Sequence, residues 1–108
     1  MKGYITLIIS LLFIVSYSQV SVVHFNSDWN NSNNYDISNL KECEKTSVVI
    51  CHNPELQEKH NIKSVPTVIV FDEGLEIVRY EANLLMELTC EIKQIQKQID
   101  KIYLAKFE

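Results

Sequence analysis

Three thiols and three imidazoles are the groups in this chain best suited to chemistry near neutral pH: Cys43, Cys51 and Cys90, with His24, His52 and His60. Thiol–disulfide exchange needs a thiolate nucleophile and a neighbouring resolving sulfur. No two of these cysteines stand as Cys-x-x-Cys, and their spacing is not that of a structural zinc site. What remains is single-thiol chemistry. Cys51, beside His52, is the candidate: a lone thiol able to form mixed disulfides with a client protein. The competing reading is an inert strand cysteine, because free cysteines are commonly buried as small hydrophobes. Successive strand side chains point to opposite faces, so Cys51 and His52 are not expected to chelate together. No metal site and no cofactor is expected. His24, inside an apolar strand, reads as a satisfied core histidine.

A polar run, Asn30-Asn31-Ser32-Asn33-Asn34, follows directly on Trp29. Asparagine amides donate and accept hydrogen bonds but supply neither nucleophile nor redox couple. The run suits a turn or a helix cap. Further along, Val65-Pro66-Thr67 stands at the head of an apolar strand.

The chain of 108 residues is one domain at most. Lys2, the apolar run from Tyr4 to Val15 and the small residues of Ser16-Tyr17-Ser18 have the order of a secretory signal peptide, residues 1–18. The run is shorter than the roughly 20 residues of a membrane span, so no stable span is expected after cleavage. Removal leaves residues 19–108 with 9 basic and 14 acidic residues, a net charge of −5. An acidic product with interspersed charges argues against nucleic acid. The expected location is periplasmic or secreted, where disulfides are permitted. An odd number of cysteines leaves at least one thiol unpaired in the monomer.

The elements that must carry these groups follow from periodicity. Val20, Val22, Val23 and Phe25 read as a buried strand. Tyr35 to Lys45 reads as a short helix with Ile37, Leu40 and Glu44 on one side and Cys43 at its edge. Ser47 to Cys51 is a second buried strand, and Asn53-Pro54 starts a helical turn towards His60. Thr67–Phe71 and Leu75–Tyr80 form a hairpin about Gly74, the one glycine after the signal segment. Leu85, Leu88, Ile92, Ile95, Ile99 and Ile102 trace the apolar stripe of a last helix docked on the sheet. That stripe puts Cys90 on the outer face beside Lys93 and Lys97. There it could link a homodimer by disulfide, with Ile99 and Ile102 offering a helix-mediated contact. A Cys43–Cys90 bridge is the alternative.

Phe25 and Trp29 at a strand end, the loop beyond them and Val65-Pro66-Thr67 together resemble the thioredoxin family. The likeness spans about Val20 to Tyr103. It implies an α/β thioredoxin-like fold, a central mixed sheet flanked by helices, here without the family's N-terminal strand and helix. It also implies a cis bond before Pro66. Asn30 and Asn33 occupy the positions of the family's two cysteines, and His24 that of a buried aspartate which assists proton transfer. The stretch between Trp29 and Val48 is shorter than the family's by about two helical turns (~3.6 residues each). The chain thus resembles a reduced member of the superfamily that lacks the dithiol.

Such members tend to act as polypeptide-binding or chaperone-like modules. The implied binding residues are Trp29, Asn30, Asn33, Val65, Pro66 and Thr67, and the implied partner is an extended segment of an envelope or secreted protein, paired by strand addition. The alternative function is thiol–disulfide oxidoreductase or isomerase-like activity through Cys51, whose strand would end on the same edge.

Overall fold

The structure, a computed structural model, describes residues 20–107. The signal-peptide expectation for residues 1–18 lies outside them. Within these residues no helix is long and apolar enough to cross a membrane. Four strands form one mixed sheet: β1 (Val20–Asn26), β2 (Cys43–Val49), β3 (Thr67–Asp72) and β4 (Leu75–Glu81). Their order is β2-β1-β3-β4. β1 runs parallel to β2 and antiparallel to β3, and β3 and β4 close an antiparallel hairpin. Gly74 turns that hairpin at φ +82°, with Glu73 also left-handed at +53°.

Strand alternation divides the core into two. Val20 and Val22 of β1 join Val68 and Val70 of β3 on one face, against Ile37, Leu40, Ile95 and Ile99. Phe25 and Ile69 point the other way, against Ile50, Ile62 and Val65. The short helix α1 (Pro54–Lys59) has Pro54 in its first turn and buries none of its own residues. The long helix α2 (Ile92–Lys106) covers the first face.

Three local expectations are corrected. The segment 35–42 is not a helix. The Asp36 carboxylate takes the Ser38 N–H at 2.9 Å, and Glu42 adopts φ +63°, so helical hydrogen bonding stops after one turn. Ile37 and Leu40 are still buried, because that single turn bonds Leu40 N–H to the Ile37 carbonyl. The loop is held from outside. Gln96 of α2 bonds both the N–H and the carbonyl of Lys41, at 2.8 and 3.1 Å, and the Tyr103 hydroxyl donates to the Glu42 carbonyl at 2.8 Å.

β2 also starts and stops earlier than its apolar run implies. Cys43 opens the strand rather than ending a helix, and Cys51 lies past its end, in a 3-10 turn (Ile50–His52).

The last helix starts at Ile92, not Leu85. Asn83 Oδ1 accepts from the N–H groups of Leu85 and Glu87, at 2.9 and 3.1 Å, and Met86 sits at φ +61°. A helix cannot pass through that turn. Gln94 then accepts from the Glu91 N–H at 3.0 Å, which fixes the helix start. Leu85 is exposed. Cys90 precedes the helix and packs half-buried beside the first core rather than standing on an outer helical face.

Candidate functional site

The turns that end β1 and β2 lie side by side because those strands are parallel and paired Asn26 to Val49. The first is a 3-10 turn (Asp28–Asn33) containing Trp29 and both asparagines of interest. Against it lie the loop before β3, where the Val65–Pro66 bond is cis, and the Asn83–Glu87 turn. Between these pieces is an open groove of about 240 Å³, whose lining includes Trp29, Ile50, Cys51, Ile62, Val65 and Met86.

Asn30 holds the groove together from below. It is buried, and its Nδ2 lies 3.2 Å from the Val65 carbonyl, 3.1 Å from the Met86 carbonyl and 3.2 Å from Asn26 Oδ1. Asn33 Nδ2 donates to Asn30 Oδ1 at 2.9 Å. Asn26 in turn donates to the Asn30 carbonyl at 3.1 Å and makes a short bond to Asn34 Oδ1. The asparagine run is therefore a knot. It joins the end of β1, the loop before Pro66 and the Met86 turn through neutral hydrogen bonds.

Of the residues expected to contact a partner, Trp29 alone presents most of its side chain, 68% exposed. Asn33 is half-buried, and Asn30, Val65, Pro66 and Thr67 are buried. The Thr67 hydroxyl donates to the Ser64 carbonyl at 2.7 Å. Two carbonyls of the loop before β3, those of Ser64 and Val65, are thus engaged by this chain's own side chains. Backbone acceptors for an added strand are correspondingly reduced. Met86, with its exposed neighbours Leu84 and Leu85, was missed in the sequence because the stripe of leucines reads as helix. The signal that could have found them is Asn83, a residue type that captures N–H groups two and four residues on.

His24 is buried and closed off. Its Nε2 accepts from the Tyr35 N–H at 3.3 Å, so the proton sits on Nδ1, which faces Ser47 Oγ at 3.3 Å. Burial pushes its pKa below the ordinary 6.5. Tyr35 then donates its hydroxyl to the Cys90 carbonyl at 2.7 Å, with Cys90 Sγ 3.6 Å away. Burial, followed by this contact, pushes the phenol pKa up.

The three thiols are free, so Cys43 and Cys90 are not bridged. Cys43 is half-buried, and burial pushes its pKa up. Cys51 is exposed, and the 3-10 turn removes the alternation that was to separate it from His52. Asp28 Oδ2 lies 2.8 Å from His52 Nε2, and donor atoms of Asp28, Cys51 and His52 all fall within 4.8 Å of one another. All three residues are exposed. Among the described residues this is the group suited to holding a metal ion.

Comparison with solved structures identifies the architecture. Thioredoxin 1 from Thermosipho africanus superposes with a TM-score of 0.61 at 18% identity, covering 82% of this chain and 99% of its own. Thioredoxin-2, described as a component of malaria parasite protein secretion machinery, gives 0.62 at 20%, covering 77% of this chain and 82% of that one. Fasciola hepatica thioredoxin gives 0.57 at 17%, covering 84% and 89%. This is a thioredoxin-like fold. No protein-family model and no curated protein matches the sequence. In this thioredoxin-like scaffold, Asn30, Trp29 and the cis-proline loop meet at the end of the central strand, and what they build there is a groove over an amide network, its apolar walls interrupted by Ser27, Gln57, Lys63 and Ser64.

Proposed function

We propose that this chain is an exported, thioredoxin-like polypeptide-binding module without dithiol chemistry, with chaperone-like use of the groove beside Trp29. The observation that carries the reading is the Asn30 amide, spent on the Val65 and Met86 carbonyls, beneath a groove walled by Trp29, Ile50, Ile62, Val65 and Met86. An amide so placed does no redox work but fixes the position of apolar walls. Trp29, Leu84, Leu85 and Met86 keep substantial apolar surface in water, and Asn83 holds the last two there by accepting from their N–H groups. Exposed apolar groups beside a concave surface are the features of a site for apolar side chains. The partner class is an extended polypeptide segment of an envelope or secreted protein, engaged chiefly through its side chains. The signal-peptide pattern of residues 1–18 supports export.

A second reading rests on Cys51, an exposed thiol on the groove wall. A bound client carrying a disulfide would meet it, and a mixed disulfide would follow by attack of the Cys51 thiolate with release of one client thiolate. Fluorescence anisotropy of a labelled, carboxymethylated unfolded polypeptide separates the readings. Binding equal in the unmodified chain and Cys51→Ser, together with insulin reduction no faster than the dithiothreitol background, supports the first. Absence of binding overturns it. Catalysed insulin reduction lost in Cys51→Ser installs the second.

A further inference from the structure

We propose that Asp28, Cys51 and His52 form a binding site for a divalent transition-metal ion, with Zn2+ the best-fitting metal. The placement follows from the sheet. Register pairs Asn26 with Val49, so two residues further on Asp28 and Cys51 come level at the ends of parallel neighbours, and the 3-10 turn brings His52 round beside them. Asp28 and His52 already meet at 2.8 Å, and donor atoms of all three residues lie within 4.8 Å of one another.

The donor set is selective. Carboxylate, imidazole and thiolate are the three ligand classes of zinc, and a tetrahedral site with Zn–S of about 2.3 Å and Zn–N or Zn–O of about 2.0–2.1 Å needs donors roughly 3.3–3.6 Å apart. The Asp28–His52 pair at 2.8 Å is tighter than that and no donor pair exceeds 4.8 Å, a difference that rotation of exposed side chains closes. Calcium and magnesium take oxygen ligands and are poorly served by a thiol and an imidazole. On binding, the Cys51 thiol proton passes to solvent, the neutral imidazole lends its lone pair, and the metal stays divalent. Three protein donors leave a fourth position for water or an incoming ligand. Because Cys51 also lines the groove beside Trp29, that position stands at the groove's lip. The site does not depend on a polypeptide occupying the groove.

Titration of the reduced chain with Co2+ alone tests it. One Co2+ per chain should bind, with thiolate-to-cobalt charge-transfer absorption that Zn2+ abolishes by displacement. Cys51→Ser should eliminate the absorption, while a Cys43→Ser/Cys90→Ser double variant keeps it. His52→Gln and Asp28→Asn should each weaken binding by at least about tenfold, since even outer-shell partners of metal ligands are worth that much. All these ligand residues are exposed, so the single variants should melt like the unmodified chain. Absence of charge-transfer absorption, its persistence in Cys51→Ser, or unchanged affinity in either His52→Gln or Asp28→Asn overturns the three-donor site.

Discussion

Asn30 reaches the carbonyls of Val65 and Met86 from a buried position, so removing its amide leaves the buried Val65 carbonyl, and the partly buried Met86 carbonyl, without their donor. Asn30→Ala should cost about 1–3 kcal/mol, the penalty for orphaning buried polar groups, read as a lower urea midpoint with unchanged slope. The residue types at positions 30 and 33 were enough to expect hydrogen-bonding amides at the end of β1. That the amide ties Trp29's turn to Met86, 56 residues away, was not legible, because no local pattern announces a partner so distant. His24 makes a second prediction. Protonating Nε2 would set a donor against the Tyr35 N–H, and burial already lowers the pKa below 6.5. His60 is lowered too, by burial first and then by Lys59 and Arg79. Below about pH 6.5 the unfolded chain therefore binds more protons than the folded one, so stability is full above that pH and falls as pH drops. The urea midpoint should be lower at about pH 5.5 than at about pH 7.5. His24→Gln should narrow the gap without closing it, His60 supplying the rest.

Helix α2 shows where periodicity succeeds and where it misleads. Ile92, Ile95, Ile99 and Ile102 do form the stripe facing the sheet. Leu85 continues the same spacing yet stands 71% exposed, because the Asn83 side chain competes for backbone N–H groups and ends the helical register there. The two positions should separate cleanly in denaturation. Leu85→Asp should change stability by no more than about 0.5 kcal/mol, as an exposed site does. Ile95→Asp, at a fully buried position, should cost more than about 3 kcal/mol through lost packing and a desolvated charge. Truncation before Ile92 should prevent folding altogether, since it also removes Gln96 and Tyr103, which hold the 35–42 loop in place. That loop read as helix for a related reason. Ile37 and Leu40 have helical spacing, but one turn is enough to bury both, and the Asp36 and Glu42 geometry that ends it is local side-chain chemistry rather than pattern.

At the scale of the whole molecule, the strand alternation, the Gly74 hairpin and the Val65-Pro66-Thr67 segment made the sheet and its mixed topology legible in advance. The groove was only half visible: Trp29 could be named, whereas the neighbourhood of Asp28, Cys51 and His52 arises from turns brought together by the parallel β1–β2 pairing, and Met86 reaches the groove through the Asn83 turn and its carbonyl's bond to Asn30. Thiol labelling follows the same geometry. Exposed Cys51 should react with iodoacetamide in the native chain well before half-buried Cys43 and Cys90, as mass spectrometry of timed samples would show. The proposed polypeptide site can be interrogated through the chain's single tryptophan, which is Trp29 at the groove. Titrating a tryptophan-free, carboxymethylated unfolded polypeptide while recording emission tests that proposal most directly. A saturable blue shift, lost in Met86→Asp while that variant's fold and melting temperature are retained, is the result expected. Emission that stays unchanged at saturating polypeptide, or a shift indifferent to Met86→Asp, would contradict binding in this groove.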